Sequence, residues 1–333
     1  MSPPIVERVN ALEILGLPAV AEDMARFEPL LASSVEIGDD YLDQITTHLI
    51  SAGGKRIRPL LAVASATGGT RPATQSDLLG GVSLELMHLA SLYHDDVMDE
   101  ADMRRNVESV NSRYGNVVAI VAGDYLMARS AAIAASLGVE VAGLLADTLA
   151  LLTRGQVSEV RTAYAVSRSI DDYYEAIGGK TASLMASACQ VGALTAELPR
   201  LEFEALGAYG TELGLVFQLR DDIMDITAVD GELGKPAGQD LAEGIYTLPV
   251  LFALDDATVG PELTDLLGGP LDEPEREKAR ALVASTEGVA RSLERAQAHA
   301  RRATELASSL SSLALGAGFG ALANALLEGL PLP

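Results

Sequence analysis

Tryptophan is absent from this chain, cysteine occurs once (Cys189), and aromatic residues make up only 4% of 333 positions. A lone cysteine excludes an intrachain disulfide and a CxxC metal pair. It fits a reducing compartment, so a cytoplasmic location is expected. Few aromatics, and no Asn-Gly turn between alternating β-branched runs, argue against a β-rich fold. Positive charge is scarce as well: 24 lysines and arginines face 47 aspartates and glutamates, a formal net charge of −23. That balance disfavours nucleic acid and anionic membrane surfaces as general partners. The N-terminal stretch MSPPIVERVNALEILG lacks the basic start and apolar core of a signal peptide. Residues 306–327 carry no charge and are long enough to cross a bilayer, but four serines, three glycines and Asn324 dilute them. They are expected to form two packed terminal helices joined at Gly316–Gly320, leaving no integral membrane segment.

Several catalytic signatures are missing too. The sequence has no GxxxxGK[ST] phosphate loop and no GxSxG nucleophile elbow. Its four histidines, His48, His88, His94 and His299, form no HExxH pair. Covalent catalysis and zinc chemistry are therefore unsupported.

What the chain does have is helix signal. Apolar residues recur at three- and four-residue spacing over 76–98, 117–137, 139–163, 171–194, 203–226 and 275–311. Breaks fall at Gly53-Gly54, Gly68-Gly69 and Gly178-Gly179, and in the stretches 228–245 and 255–274. None has the composition of an interdomain linker, so residues 1–333 are expected to form a single all-α domain, one large helical bundle.

Two short motifs stand out. HDDVMD at 94–99 is echoed by RDDIMD at 220–225, each late in an apolar helix. Helical geometry puts Asp95 and Asp99 on one face, and likewise Asp221 and Asp225, with Asp96 and Asp222 about 100° round. Hard carboxylate oxygens suit Mg²⁺, which keeps waters and fills its shell with substrate phosphates. A solvated acidic patch competes as the reading of one copy; two copies in matching contexts favour metal. The chain has only four lysines, and three of them follow glycine: Lys55, Lys180 and Lys235. Glycine lets the main chain approach a ligand, and lysine offers phosphate a compact charge, although glycine helix stops followed by surface lysines would look the same. Arg56 and Arg58 lie beside Lys55, and Arg104 and Arg105 follow the first trio. Cations placed beside carboxylates imply a diphosphate head bridged through metal, with a greasy tail in a deep apolar cavity.

The motifs GGKRIRP (53–59), ELMHLASLYHDDVMDEADMRR (85–105), GDYL (123–126), GGKTASL (178–184), GLVFQLRDDIMD (214–225) and GKPAGQDLAEGIYTLP (234–249) resemble, in order, those of the trans-isoprenyl diphosphate synthases, the polyprenyl synthetases. The resemblance implies the isoprenoid-synthase bundle and condensation of isopentenyl diphosphate with an allylic prenyl diphosphate. By it, Lys55, Arg58 and His88 would bind isopentenyl diphosphate, with Arg105 closing over it. Asp95, Asp99 and Asp221 would hold Mg²⁺ on the allylic diphosphate, supported by Asp222 and Asp225. Arg104, Lys180 and Lys235 would neutralise that diphosphate, and Thr181 and Gln218 would face the developing cation. A homodimer is implied as well. Two departures are visible: Ile245 stands where many relatives carry lysine, and the polar motif at Gly155, Gln156 and Glu159 has its acid and amide exchanged. Neither is expected to touch an acidic trio. A terpene cyclase is disfavoured by the second all-aspartate motif, and a non-catalytic synthase subunit by the integrity of both.

Product length is read from the first acidic helix. Ser91, Ala90 and Met87 lie below Asp95 on the side a growing chain would follow, and none is a bulky aromatic. An open wall over several turns, each about 5.4 Å, suggests roughly six or more isoprene units, with geranylgeranyl diphosphate as the alternative product. Ala128, Ala131, Ala132, Ala134 and Ala135 are candidates for the facing wall.

Overall fold

A computed structural model describes residues 10–228 and 237–331. Its principal helices are α1 (Pro18–Ser33), α2 (Ile57–Thr67), α3 (Gln75–Met98), α4 (Asn116–Leu137), α5 (Val139–Arg161), α6 (Ile170–Ile177), α7 (Ser183–Thr195), α8 (Arg200–Thr227), α9 (Leu248–Leu254), α10 (Glu273–Ala284), α11 (Gly288–Ser308) and α12 (Leu313–Ala325). Shorter helical turns fill the connections. Among the described residues the only strands form a minimal hairpin, β1 (Met103–Arg104) against β2 (Val107–Glu108). The expected all-α class is the observed one.

Local chemistry fixes several helix starts. Thr74 and Asp77 form a capping box at α3, Ser169 and Asp172 one at α6, and Asp272 and Glu275 one at α10. The Asp77 carboxylate is buried, and Arg71 Nη1 at 2.7 Å compensates its charge.

Three expected boundaries need correction. Gly178-Gly179 is not a break: Gly178–Ala182 form a π-helical turn that joins α6 to α7. The 275–311 pattern is two helices. Thr286 Oγ1 donates to Val283 O at 2.8 Å and accepts from Gly288 N at 3.1 Å, ending one helix and starting the next. The terminal helices join at 309–312, not at Gly316–Gly320, because Ser312 Oγ caps Leu315 N. The glycines lie inside α12, where a Cβ on Gly316 would sit 2.5 Å from Ala307 O and one on Gly318 2.5 Å from Leu15 O. They serve close packing. Among the described residues, α4 rather than the 306–327 stretch is the helix long and apolar enough, by length and composition, to cross a bilayer.

Apolar burial gathers in two clusters. One joins α1–α5, α7, the first part of α8 and α12; the other joins α6, the end of α8, α9, α10 and the start of α11. Helix α8 belongs to both, and its glycines set its depth. A Cβ on Gly210 would lie 2.5 Å from Met185 O, and one on Gly214 2.5 Å from Ala182 Cα. Backbone therefore meets backbone where α7 crosses α8. One turn beyond Gly214 comes Gln218, and two turns beyond comes Asp222.

The same packing yields a paired prediction. A Cβ on Gly192 of α7 would overlap the Ala62 carbonyl oxygen of α2, whereas one on Gly143 of α5 meets nothing within 4 Å. Gly192→Ala should lower unfolding free energy by about 1–3 kcal/mol through overpacking. Gly143→Ala should raise it by roughly 0.5–1 kcal/mol through unfolded-state entropy and helix propensity. Urea denaturation checks both; equal effects would contradict the packing account.

Candidate active site

The end of α3 delivers its three carboxylates differently. Asp96 is buried, and its Oδ1 accepts from Arg104 Nε and Nη2, each at 2.6 Å. It thus orients Arg104 from the β1 hairpin. Asp95 is half-buried, and Asp99, the residue at the helix C-cap, is exposed. Burial raises both pKa values above the ordinary carboxylate range, opposed mainly by the Lys180 ammonium.

The second trio, at the end of α8, is likewise divided. Asp221 has 43% of its side chain exposed and lies 3.2 Å from Arg220 Nη1. Asp222 is buried between Tyr173 OH, which donates at 2.5 Å, and Gln218 Nε2, which donates at 2.8 Å. Burial, then the neighbouring Asp240 charge, pushes its carboxyl up to about 8 against the opposing hydrogen bonds. Gln218 Oε1 in turn accepts from Thr181 Oγ1 at 2.7 Å, so the expected pair Thr181 and Gln218 is joined. Asp225 is turned elsewhere. Its carboxylate accepts from Asp240 N at 3.2 Å and its carbonyl from Gly238 N at 2.7 Å, tying down the turn that carries Asp240.

Lys180 reaches these groups because α5 and the π turn touch backbone to backbone. A Cβ on Gly155 would lie 2.7 Å from Lys180 N, and one on Gly179 2.9 Å from Gly155 Cα. One helical turn past Gly155, Glu159 Oε1 meets Lys180 Nζ at 2.6 Å. Both sequence departures therefore reach the acidic site, against expectation. Glu159 and Ile245 line the same cleft of about 270 Å³ as Asp99, Arg104, Lys180 and Asp222. Sequence spacing missed this because the contact is made across helices. Asp240, Arg168 and Tyr173 also line the cleft. Asp240 sits inside the GKPAGQDLAEGIYTLP motif, whereas Arg168 and Tyr173 belong to no motif.

A second basic group gathers near α2. Gly53 and Gly54 adopt positive φ, 82° and 152°, and a Cβ on Gly54 would lie 2.9 Å from the Arg105 guanidinium carbon. Arg105 Nη1 donates to Leu49 O at 3.0 Å and to Gly53 O. Burial lowers Arg58 to about 10, with Glu85 opposing, and its Nε has no partner. Burial, then Arg58 and Arg105, hold the His88 imidazole well below its ordinary range, so it is neutral. Lys55 is exposed, with its ammonium 5.9 Å from the centre of the Phe217 ring of α8. Arg56 is structural, paired with Glu28 at 2.8 Å and Glu85 at 2.7 Å. Lys235 lies outside the described residues.

Met87, Ala90 and Ser91 are all buried on α3, and Ser91 Oγ donates to His88 O at 2.8 Å. Of the five alanines expected on the facing wall, only Ala134 is buried; Ala128, Ala131, Ala132 and Ala135 are exposed. An evenly apolar helix carries no periodic mark of its inner face, which explains the misplacement.

The donor set suits a hard divalent cation. Among the described residues no three His, Cys, Asp or Glu side chains converge tightly enough to hold a metal alone.

Comparison with known proteins agrees. The polyprenyl synthetase family model matches residues 39–284. The chain is 39% identical over 291 residues to a nonaprenyl diphosphate synthase of Mycobacterium tuberculosis, covering 86% of each. It is 40% identical over 251 residues to heptaprenyl diphosphate synthase component 2 of Geobacillus stearothermophilus, covering 73% of this chain and 78% of that one. Its fold matches a polyprenyl synthase from Caulobacter crescentus, solved with calcium and isoprenyl diphosphate, at TM-score 0.89 and 28% identity, covering 96% and 98%. Family model, relatives and fold together place this chain in the polyprenyl synthetase family, as an enzyme of the prenyltransferase type.

Proposed function

We propose that the chain condenses isopentenyl diphosphate with an allylic prenyl diphosphate, repeatedly, to give a long all-trans polyprenyl diphosphate. The observation that carries this reading is one cleft lined by carboxylates from both acidic motifs, Asp99 and Asp222, together with Lys180 and Arg104. Asp95, Asp99 and Asp221 would hold Mg²⁺, with Asp222 behind them; Asp225 would act by holding the turn that carries Asp240. When bound, Mg²⁺ supplies charge that stabilises the departing pyrophosphate. Lys180 and Arg104 add fixed positive charge on the same leaving group, while Thr181 and Gln218 turn their joined dipoles toward the allylic carbon. Lys55, Arg58, His88 and Arg105 would bind isopentenyl diphosphate, whose double bond attacks the allylic carbon before a proton is lost. Lys235 is assigned to the allylic diphosphate by sequence resemblance alone.

The same reading treats residues 1–333 as one cytoplasmic domain acting as a homodimer. Val117, Ile120 and Val121 on α4 are 75%, 43% and 58% exposed, and Val157 and Val160 on α5 are exposed too, an apolar surface that a second copy would cover. One relative is named a component of its synthase, so turnover by the purified chain alone is the first test. Elongated products from farnesyl and isopentenyl diphosphates support the proposal. No product without a second protein, or a cyclic product, overturns it.

Chain length gives a sharper expectation. Ser91→Phe places an aromatic ring one turn below Asp95, so products should shorten while allylic primer is still consumed. Mass spectrometry of dephosphorylated products reads this; an unchanged ladder from an active variant would show that the chain grows elsewhere.

Asp222 gives another. With its folded pKa near 8 and the ordinary value 3.8, the unfolded chain releases this proton first as pH rises. Wild-type stability is therefore lost through that window, levelling above about pH 8. Asp222→Asn has no such titration. In chelator its melting temperature should exceed the wild-type value by a margin that widens from pH 5 to pH 8, while turnover falls about 100-fold or more. A margin constant with pH would contradict the burial of this carboxyl.

A further inference from the structure

Among the described residues three cations line the acidic cleft, and two of them are already committed to carboxylates. Arg104 is held on Asp96 at 2.6 Å and Lys180 on Glu159 at 2.6 Å. The third is Arg168. The residue is only 7% exposed, yet among the described residues carboxylates reach it only through their charge, with none hydrogen-bonded to it. Its Nη1 donates to Tyr246 O at 3.0 Å, and its guanidinium carbon stands 5.6 Å from the centre of the Tyr173 ring. Its Nε is buried with no hydrogen-bond partner. Of the carboxylates whose charge reaches it, Glu159 is held by Lys180, and Asp222 by Tyr173 and Gln218. A buried guanidinium with an orphaned donor is costly unless an anion completes it.

The position is rigid as well. Tyr164, at φ 59°, donates its backbone N–H to Gly244 O at 2.8 Å, and a Cβ on Gly244 would lie 2.5 Å from the Tyr164 ring. Arg168 N donates to Ala165 O at 3.0 Å. The loop before α6 is thus clamped to the segment carrying Ile245 and Thr247, both of which line the cleft beside Arg168. Ile245 brings no charge to that wall. Among the described residues Arg168 is the cation beside Ile245 and Thr247.

We propose that Arg168 is a diphosphate-binding residue of the allylic site, its guanidinium donating to a diphosphate oxygen on the wall formed with Ile245 and Thr247. This rests on the reading of the cleft as the allylic diphosphate site. It adds a residue that lies in none of the motifs by which that site is recognised. Arginine suits the task because its planar donors meet phosphate oxygens while its face stays stacked on tyrosine.

The test compares Arg168→Gln and Arg168→Lys with wild type in the full chain. It measures KM for farnesyl diphosphate and for isopentenyl diphosphate, and calorimetric affinity for inorganic pyrophosphate with Mg²⁺. Arg168→Gln should raise the farnesyl diphosphate KM and weaken pyrophosphate binding by about tenfold or more, the loss of a charge-assisted hydrogen bond, with Arg168→Lys in between. The isopentenyl diphosphate KM should move by less than about twofold, since that substrate lies elsewhere. Unchanged constants in both variants overturn the proposal. So does an equal rise in both KM values with a falling melting temperature, which would make Arg168 a structural clamp. Should Arg168→Gln not fold, Arg168→Lys decides by the same criteria. A wild-type chain that binds pyrophosphate without turnover would sink the proposed function, and the calorimetric comparison would still decide the role of Arg168.

Discussion

Carboxylates taken out of water need compensating charge, and α3 and α8 each end by bringing such groups to one cleft. The protein's own cations compensate them only in part. Asp96 is held by Arg104 and Glu159 by Lys180, yet burial still raises the pKa of Asp96, as it does those of Asp95, Asp99 and Asp222. Arg168 is the converse, a buried cation with a donor to spare. Acid and base are both left incomplete, and in the proposed function a metal-bound diphosphate would supply what each lacks.

The bundle holds this unbalanced arrangement because backbone packing fixes the helices that carry it. Gly210 and Gly214 seat α8 against α7 and the π turn, which sets Gln218 beside Thr181. Gly155 and Gly179 do the same for α5, which sets Glu159 on Lys180. None of these glycines touches a substrate in the proposed mechanism. They act by removing Cβ atoms at helix crossings, so polar side chains one turn away meet at hydrogen-bond distance.

Much of this was legible in the sequence. The 3.6-residue period gave the long helices because each has an apolar face to bury, and the paired DDxxD motifs with glycine-borne lysines pointed to the site. What escaped notice depended on contacts between helices. Glycines that read as breaks at Gly178-Gly179 and Gly316–Gly320 lie inside continuous helix, with Gly179, Gly316 and Gly318 at close packing points. The Ala-rich α4 offered no contrast between faces, so outward alanines passed for a cavity wall. Glu159 and Ile245, noted only as departures, line the cleft, and Arg168 enters it from a loop with no motif at all.

The central claim is that protein and diphosphate complete the metal site together. Isothermal titration of Mg²⁺ into the chain, with and without farnesyl S-thiolodiphosphate as an unreactive allylic ligand, tests it most directly. The account predicts weak binding to the chain alone, with Kd in the millimolar range on the order of ordinary carboxylate–Mg²⁺ contacts, and uptake of more than about one ion per chain once the analogue is present. Tight stoichiometric Mg²⁺ binding without the analogue, or no gain with it, would contradict the account.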